Sequence, residues 1–459
     1  MSEQITLFPN LEVPVSPKSP ITHAAKPRLR SAERNQIEFK IGSLDNLISS
    51  DHKARYVVSF VEQLDLSKIL SGIQSVDNGV GRPATDPKIL LALWLFGVLE
   101  RVISARTIAE FCSEHNAYQW ICGGVSINHH TLSDFATNHG EQFDDFLTQS
   151  VAILANHGFV DLDNEDVAQD GMRVRASAGS SSFRREKTLK ELHKDAIKYI
   201  VQLKAEHAKN PSACRSRQSA AALRAATDRE RKIAESLKNM DLFIEEKEEN
   251  LKKHRKKLGE KKKQELRVST TDPEARVMKM PSGGFRPAFN VQFATTTIYK
   301  IIIGVSVNNQ GTDAGLIEPM AYQIKARCGR PPNNILTDTS YTKYLEIDSM
   351  AKTFPSIRIF MPVKATPNST NNPHSPSPDD SKPVGDWKIR MGTHEAKDKY
   401  KLRSATAEFS NAQARNKGLQ QMPLRGIKKV NIVACLFALV HNMQRFFSLM
   451  KAQQASMAQ

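Results

Sequence analysis

The sequence predicts a mixed α/β chain in three parts: a helical amino-terminal region, a mixed sheet flanked by helices, and a charged helical segment inserted into the sheet region. Three observations lead there. Apolar residues recur at three and four spacing through DPKILLALWLFGVLERV, SARTIAEFCSEH and TLSDFATNHGEQFDDFLTQSVAILANHG, the period of helices with one buried face. After Asp170, β-rich runs such as FNVQFATTT and YKIIIGVSVNN give way to alternating helical and strand patterns. Between Gly179 and Ser269 about 25 Lys and Arg stand against about 14 Asp and Glu, with apolar residues at heptad-like spacing among them.

Taken in order, residues 1–36 combine prolines with the basic run KPRLRSAERN and show no sustained periodicity, which predicts a flexible basic arm. Residues 37–158 form the helical region, with helix starts at Asp86-Pro87 and Ser104. The turn between SARTIAEFCSEHNAYQWICGG and HHTLSDF suits two arrangements. In a helix-turn-helix, Asn128, His129, His130 and Thr131 lie near DNA; in a plain bundle they are turn residues. Residues 159–180 and 270–450 supply the sheet: a strand at Asp170, FNVQFATTT, YKIIIGVSVNN, the helix GLIEPMAYQIKARCG, the short strand NNILTD, the helix TKYLEIDSMAKTF and the strand SIRIFMPV.

Residues 181–269 interrupt this region. Leu189, Leu192, Ala196, Tyr199 and Leu203 precede a break at Pro211, and Ile233, Leu237, Met240, Ile244, Leu251 and Leu258 follow it, so the segment reads as an antiparallel helical hairpin or coiled coil. Lys247 and His254 fall on the seam and favour an exposed tip. A second interruption, residues 366–386, is rich in Pro, Ser and Asn and reads as a loop or disordered linker. Beyond it VNIVACLFALVHNMQRFF predicts an apolar helix packed on the sheet, with His441 and Asn442 in structural roles.

The 459-residue chain is long enough for two or three folding units. Its 65 Lys and Arg against 49 Asp and Glu give a net charge of +16, which points to a polyanionic partner, because cationic side chains gain affinity by releasing phosphate counterions. Cys112, Cys122, Cys214, Cys328 and Cys435 show no zinc-ligand spacing and read as reduced thiols. ILLALWLFGVL and IVACLFALV are too short to span a bilayer, and the first residues lack a secretory pattern. The expectation is a cytoplasmic, nucleoid-associated protein with no membrane partner.

Three acids stand out. Asp170 ends the apolar run in DVAQDGMRVRASAG, Asp338 ends NNILTD, and Glu408 lies in YKLRSATAEFSNAQARNKGL. Carboxylates at two strand ends with a third from a helix can hold two magnesium ions, hard cations that prefer oxygen ligands. Asp272, Asp313, Glu346 and Glu395 read instead as a turn residue, a helix-start residue and two surface acids.

The blocks RPATDPKILLALWLFGVLERVISARTIAEFCSEHNAYQWICGG, NHHTLSDF, DGMRVRASAG, TDPEARVMK, FNVQFAT, ILTDTSY and LRGIKKVNIVACLFALVHNMQR occur in one order from about Arg82 to Arg445. With Tyr400, Arg403 and Glu408 at Tyr-x2-Arg-x4-Glu spacing, this order resembles the DDE transposases of bacterial insertion sequences. The resemblance implies an RNase H-like sheet with Asp170 on its first strand and Asp338 on its fourth. It implies Asp170, Asp338 and Glu408 as catalytic, metal-binding acids, two Mg2+ ions with Mn2+ as the alternative, and phosphate or DNA contacts from Tyr400, Arg403 and Arg415. It also implies cleavage and strand transfer on terminal inverted repeats and target DNA by a homodimer or higher oligomer. The chain departs from the family pattern at Met172 for Thr, Ser340 for Gly, Asn411-Ala412 for Phe-Gly and Arg415 for Lys. A catalytically decayed DNA-binding copy and an RNase H-fold nuclease without joining activity are the alternatives.

Overall fold

A computed structural model describes residues 42–75, 83–209, 213–252, 257–364 and 372–457, so the arm expected over residues 1–36 lies outside the described residues. Eight strands occur in them: β1 (Val167–Arg175), β2 (Phe183–Arg185), β3 (Arg267–Ser269), β4 (Arg276–Lys279), β5 (Phe285–Thr296), β6 (Ile302–Asn308), β7 (Asn334–Leu336) and β8 (Arg358–Phe360). β1 is central. It runs antiparallel to β5, with Asp170 opposite Phe293, and parallel to β7, with Val167 opposite Ile335 and Ala168 opposite Leu336. β7 continues in parallel to β8, while β4 and β6 pair in succession along the other edge of β5.

Parallel neighbours need a crossover, and helices Ile317–Cys328 and Tyr344–Thr353 provide those leading to β7 and β8. Glu346 is not a surface acid. It is buried and accepts backbone N–H groups of Gly315, Ile317 and Glu318 at 2.9, 2.7 and 3.0 Å, satisfying the open start of the helix Ile317–Cys328.

Leu44–Gln459 form one compact unit in which the amino-terminal helices share a core with the sheet. Asp86 and Ser104 cap the helices Pro87–Leu99 and Ala105–Glu114 through their side chains, as their sequence context predicts. Pro87–Leu99 is buried along nearly its whole length, which accounts for its lack of a polar face. It packs against Ile427–Met457, a 31-residue helix longer than the predicted one. That helix is apolar and long enough to cross a membrane, yet 72% of its apolar window is buried inside the protein. Asn442 donates to and accepts from the Ile302 backbone at 2.9 Å each, and His441 meets the Lys300 carbonyl at 2.7 Å. Burial holds the His441 imidazole down to about 4, so it is neutral and structural.

In the insertion, helices Glu186–Lys209 and Ala213–Lys252 pack along each other, and the β2–β3 ladder closes their base. Leu189, Ile233, Met240, Ile244 and Val268 form a separate small core, whereas Tyr199, placed on the seam by its spacing, is exposed. The Arg276 guanidinium lies 4.4 Å over the Phe243 ring and ties the insertion to β4. His254 lies outside the described residues. The linker expected over 366–386 ends earlier than its composition suggests. Residues 365–371 lie outside the described residues, and Ser381 then caps the helix Lys382–Gly392, with Pro383 in the first turn, where a missing N–H costs nothing.

Candidate active site

Successive side chains on a strand face opposite ways, so Asp170 shares one face of β1 with Ala168 and Met172, and Gly171 shares the other with Gln169 and Arg173. β7 ends at Leu336, Thr337 still donates to the Phe360 carbonyl at 3.0 Å, and Asp338 then leaves the sheet. The Asp338 carboxylate accepts the Ser340 N–H at 2.8 Å and so caps the turn Thr339–Tyr341. The parallel pairing of β1 and β7 thus brings Asp338, just past the end of β7, beside Asp170, which lies inside β1 and not at a strand end as the sequence suggests.

The third element is the helix His394–Asn416. Thr406 accepts from Lys300 Nζ at 2.7 Å and Ser410 meets Thr295 at 2.9 Å, which docks the helix beside β5. Arg403 and Asn411, two turns apart, then both reach Asp170. Arg403 Nη2 lies 2.9 Å from Asp170 Oδ1 and 3.6 Å from Asp338 Oδ2, while Asn411 Nδ2 donates to Asp170 Oδ2 at 2.9 Å. Tyr400 is half-buried near Arg403, Asp170 and Asp338, and burial raises its phenol above the ordinary range. Arg415 is exposed in the last turn.

Glu408 is not in this set of contacts. It is exposed, and its Oε1 accepts from Ser404 at 2.7 Å. At 100° per residue it is turned about 140° from Arg403, on the flank of the face that reaches β1. Among the described residues no three His, Cys, Asp or Glu side chains gather as a metal site.

Burial raises the Asp170 carboxyl above its ordinary range more than Arg403 lowers it, and the nearby charges of Asp338 and Asp313 raise it further. Asp313 is therefore no simple helix-start residue. It is buried, ion-paired with Arg173 through two contacts of 3.1 Å, and hydrogen-bonded by Asn290 at 2.7 Å and Gln292 at 2.9 Å. Burial pushes its carboxyl up, but Arg173 and the donors around it outweigh that and hold it below the usual range.

Hard oxygen donors suit a divalent cation, and two acids plus one neutral oxygen are available. Asp170 and Asp338 already face a single positive group, and Asn411 Oδ1 is buried beside Asp170 without a hydrogen-bond partner. These residues fit one cation.

Residues 42–138 match the family model described as Transposase domain (DUF772), and residues 369–447 match the one described as Transposase DDE domain. The two matches support a DDE transposase of an insertion sequence. A transposase of this kind is an enzyme acting on DNA. Searches of curated proteins and of solved structures found no match. The DDE match contains Tyr400, Arg403, Glu408 and Arg415, whereas Asp170 and Asp338 lie outside both matches and are joined to that segment by geometry.

The sequence reading of the transposase site missed Asn411 and Asp313. Asn411 was visible only as a departure from Phe-Gly, but its spacing of eight from Arg403 repeats a helix face and could have marked it. Nothing local marks Asp313. Its place depends on cross-strand partners on β1 and β5.

Proposed function

We propose that this chain cleaves DNA at the ends of its own element and joins them to target DNA, using Asp170, Asp338 and Glu408 with magnesium. The observation that carries the reading is the sharing of the Arg403 guanidinium by Asp170 and Asp338, which places two carboxylates around one positive charge. The strand order β6-β5-β1-β7-β8, antiparallel through the first three and parallel through the rest, supports an RNase H-like sheet.

Asp170, Asp338 and Asn411 Oδ1 would hold the cation, and Glu408 would join them by leaving Ser404. Bound magnesium supplies Lewis-acid stabilisation of phosphoryl oxygens and acidifies the attacking hydroxyl. Arg403 then has a second role, since a guanidinium released from carboxylates is shaped to grip phosphate oxygens. Tyr400, half-buried in the same neighbourhood, would pack beside that guanidinium. Arg415, the exposed helix start at Asn128 and the basic insertion are suited to longer stretches of DNA backbone. Two copies acting on paired ends complete the proposal.

The test is cleavage of a duplex carrying an element end. Asp170→Asn, Asp338→Asn and Glu408→Gln are each expected to slow cleavage by at least about 100-fold with DNA affinity nearly unchanged. Near-normal cleavage by Glu408→Gln would remove Glu408 from the site. Cut but never joined products would make the chain a nuclease, and DNA binding without cutting by the unaltered protein would make it a decayed copy.

A further inference from the structure

The geometry points to Ser340 as a positioning residue that ties Asp338 to the buried Asp313–Arg173 ion pair and thereby fixes the acid for cation binding. The inference rests on Asp338 being a cation ligand, as proposed above.

Ser340 touches Asp338 twice, through its N–H at 2.8 Å and through its hydroxyl, and the same Oγ lies 2.9 Å from Asp313 Oδ2. A hydroxyl has a single proton and can serve one carboxylate at a time. With that proton on Asp338, the Ser340 N–H and hydroxyl hold the same Oδ1 together, a two-point grip that loss of the hydroxyl would leave to the N–H alone, while the Oγ position is set by its contact with Asp313.

Asp313 is a rigid anchor. Arg173 grips both of its oxygens through Nη1 and Nη2, Asn290 and Gln292 donate to Oδ1, and the adjacent Tyr341 hydroxyl donates to Gln292 Oε1. Gly171, next to Asp170 on β1, leaves the space these groups occupy: a Cβ there would meet Gln292 Nε2 at 2.2 Å and Asp313 Oδ1 at 2.6 Å. One network therefore touches the backbone beside Asp170 and, through Ser340, the turn that carries Asp338. Partners behind a ligating carboxylate commonly contribute 10–100-fold to cation affinity or activity.

The experiment is titration of the free full-length protein with Mn2+, followed by electron paramagnetic resonance, for the wild type, Ser340→Ala, Ser340→Thr, Asp313→Asn, the Ser340→Ala/Asp313→Asn double variant and Asp338→Asn. Thermal unfolding confirms that each variant is folded. The expected result is about ten-fold weaker Mn2+ binding in Ser340→Ala and recovery to within about two-fold in Ser340→Thr. Asp313→Asn is expected to weaken binding too, and the double variant little more than either single one, because both changes cut the same link. Wild-type affinity in Ser340→Ala, or full additivity in the double variant, would overturn the inference, as would Mn2+ binding that Asp338→Asn does not reduce. If Mn2+ affinity follows the expected pattern and the wild type still cuts no DNA, the positioning role stands and the cleavage reading falls.

Discussion

Gly171 and Asp272 show how single residues near the sheet carry constraints that local sequence does not display. No side chain fits at Gly171, because Asn290 Oδ1 also stands 2.8 Å from a Cβ built there, and strand backbone cannot yield without shifting Asp170. Gly171→Ala is expected to cost roughly 2–4 kcal/mol in urea unfolding, the scale of overpacking combined with a broken buried network. Asp272 is fully buried at the start of the helix Ile427–Met457, where its Oδ1 accepts the Gly426 N–H at 3.3 Å and its Oδ2 has no partner. Burial, with the neighbouring Glu274 adding to it, pushes its carboxyl up to about 6. A raised carboxyl binds its proton more tightly in the folded state, so its contribution is present below about pH 4 and is lost as pH rises through 6. Relative to Asp272→Asn, the wild type should lose on the order of 2–3 kcal/mol across that window, measured by unfolding at several pH values. Asp170 and Asp338 stand out in the sequence because each ends an apolar run, although Asp170 lies inside β1, while Tyr400 and Arg403 stand out only through the resemblance. Asp272, Asp313 and Glu346 resemble turn, helix-start or surface acids in the sequence because their burial comes from neighbours distant in the chain.

At the scale of elements, periodicity served well wherever one face of a helix or strand is buried, and less well at boundaries. The helix Lys382–Gly392 was hidden in a Pro- and Ser-rich stretch, although Ser381 and Pro383 are themselves start signals. β2 and β3 are three residues each, too short to show alternation, and they exist because they pair at the base of the insertion. That insertion has its own core, separate from those of the sheet, and its attachments to the sheet include Arg276 over Phe243. Replacing residues 182–267 with a short linker is therefore expected to leave the sheet folded, with near-unchanged near-ultraviolet dichroism. DNA affinity should fall and its salt dependence should become shallower, since fewer phosphates are neutralised. An unchanged slope of log affinity against log salt would assign the charged helices to a role other than DNA contact.

Across the whole molecule, the helix Ile427–Met457 joins what the sequence presents as separate regions. Val430, Ile432, Val433, Leu436, Phe437, Leu439, Val440, Met443 and Phe446 are buried on it, in the same core as Leu93, Phe143 and Leu147 from the amino-terminal helices and Ile303 from the strand region. At about 1.5–3 kcal/mol for each large apolar side chain, their burial rivals the whole net stability of a typical domain, about 5–15 kcal/mol. A chain stopped after Arg425 is expected to lose its near-ultraviolet signal and bind a hydrophobic dye, where independent amino-terminal folding would keep Pro87–Leu99 and its neighbours native. Composition could not reveal this, because an apolar helix fits a local core and a shared one equally well. The order of synthesis follows from the same packing. Ribosomes make the helix Pro87–Leu99 hundreds of residues before its partner Ile427–Met457, so the part of its apolar surface that this partner covers stays open through most of translation, the kind of exposure that chaperones generally shield.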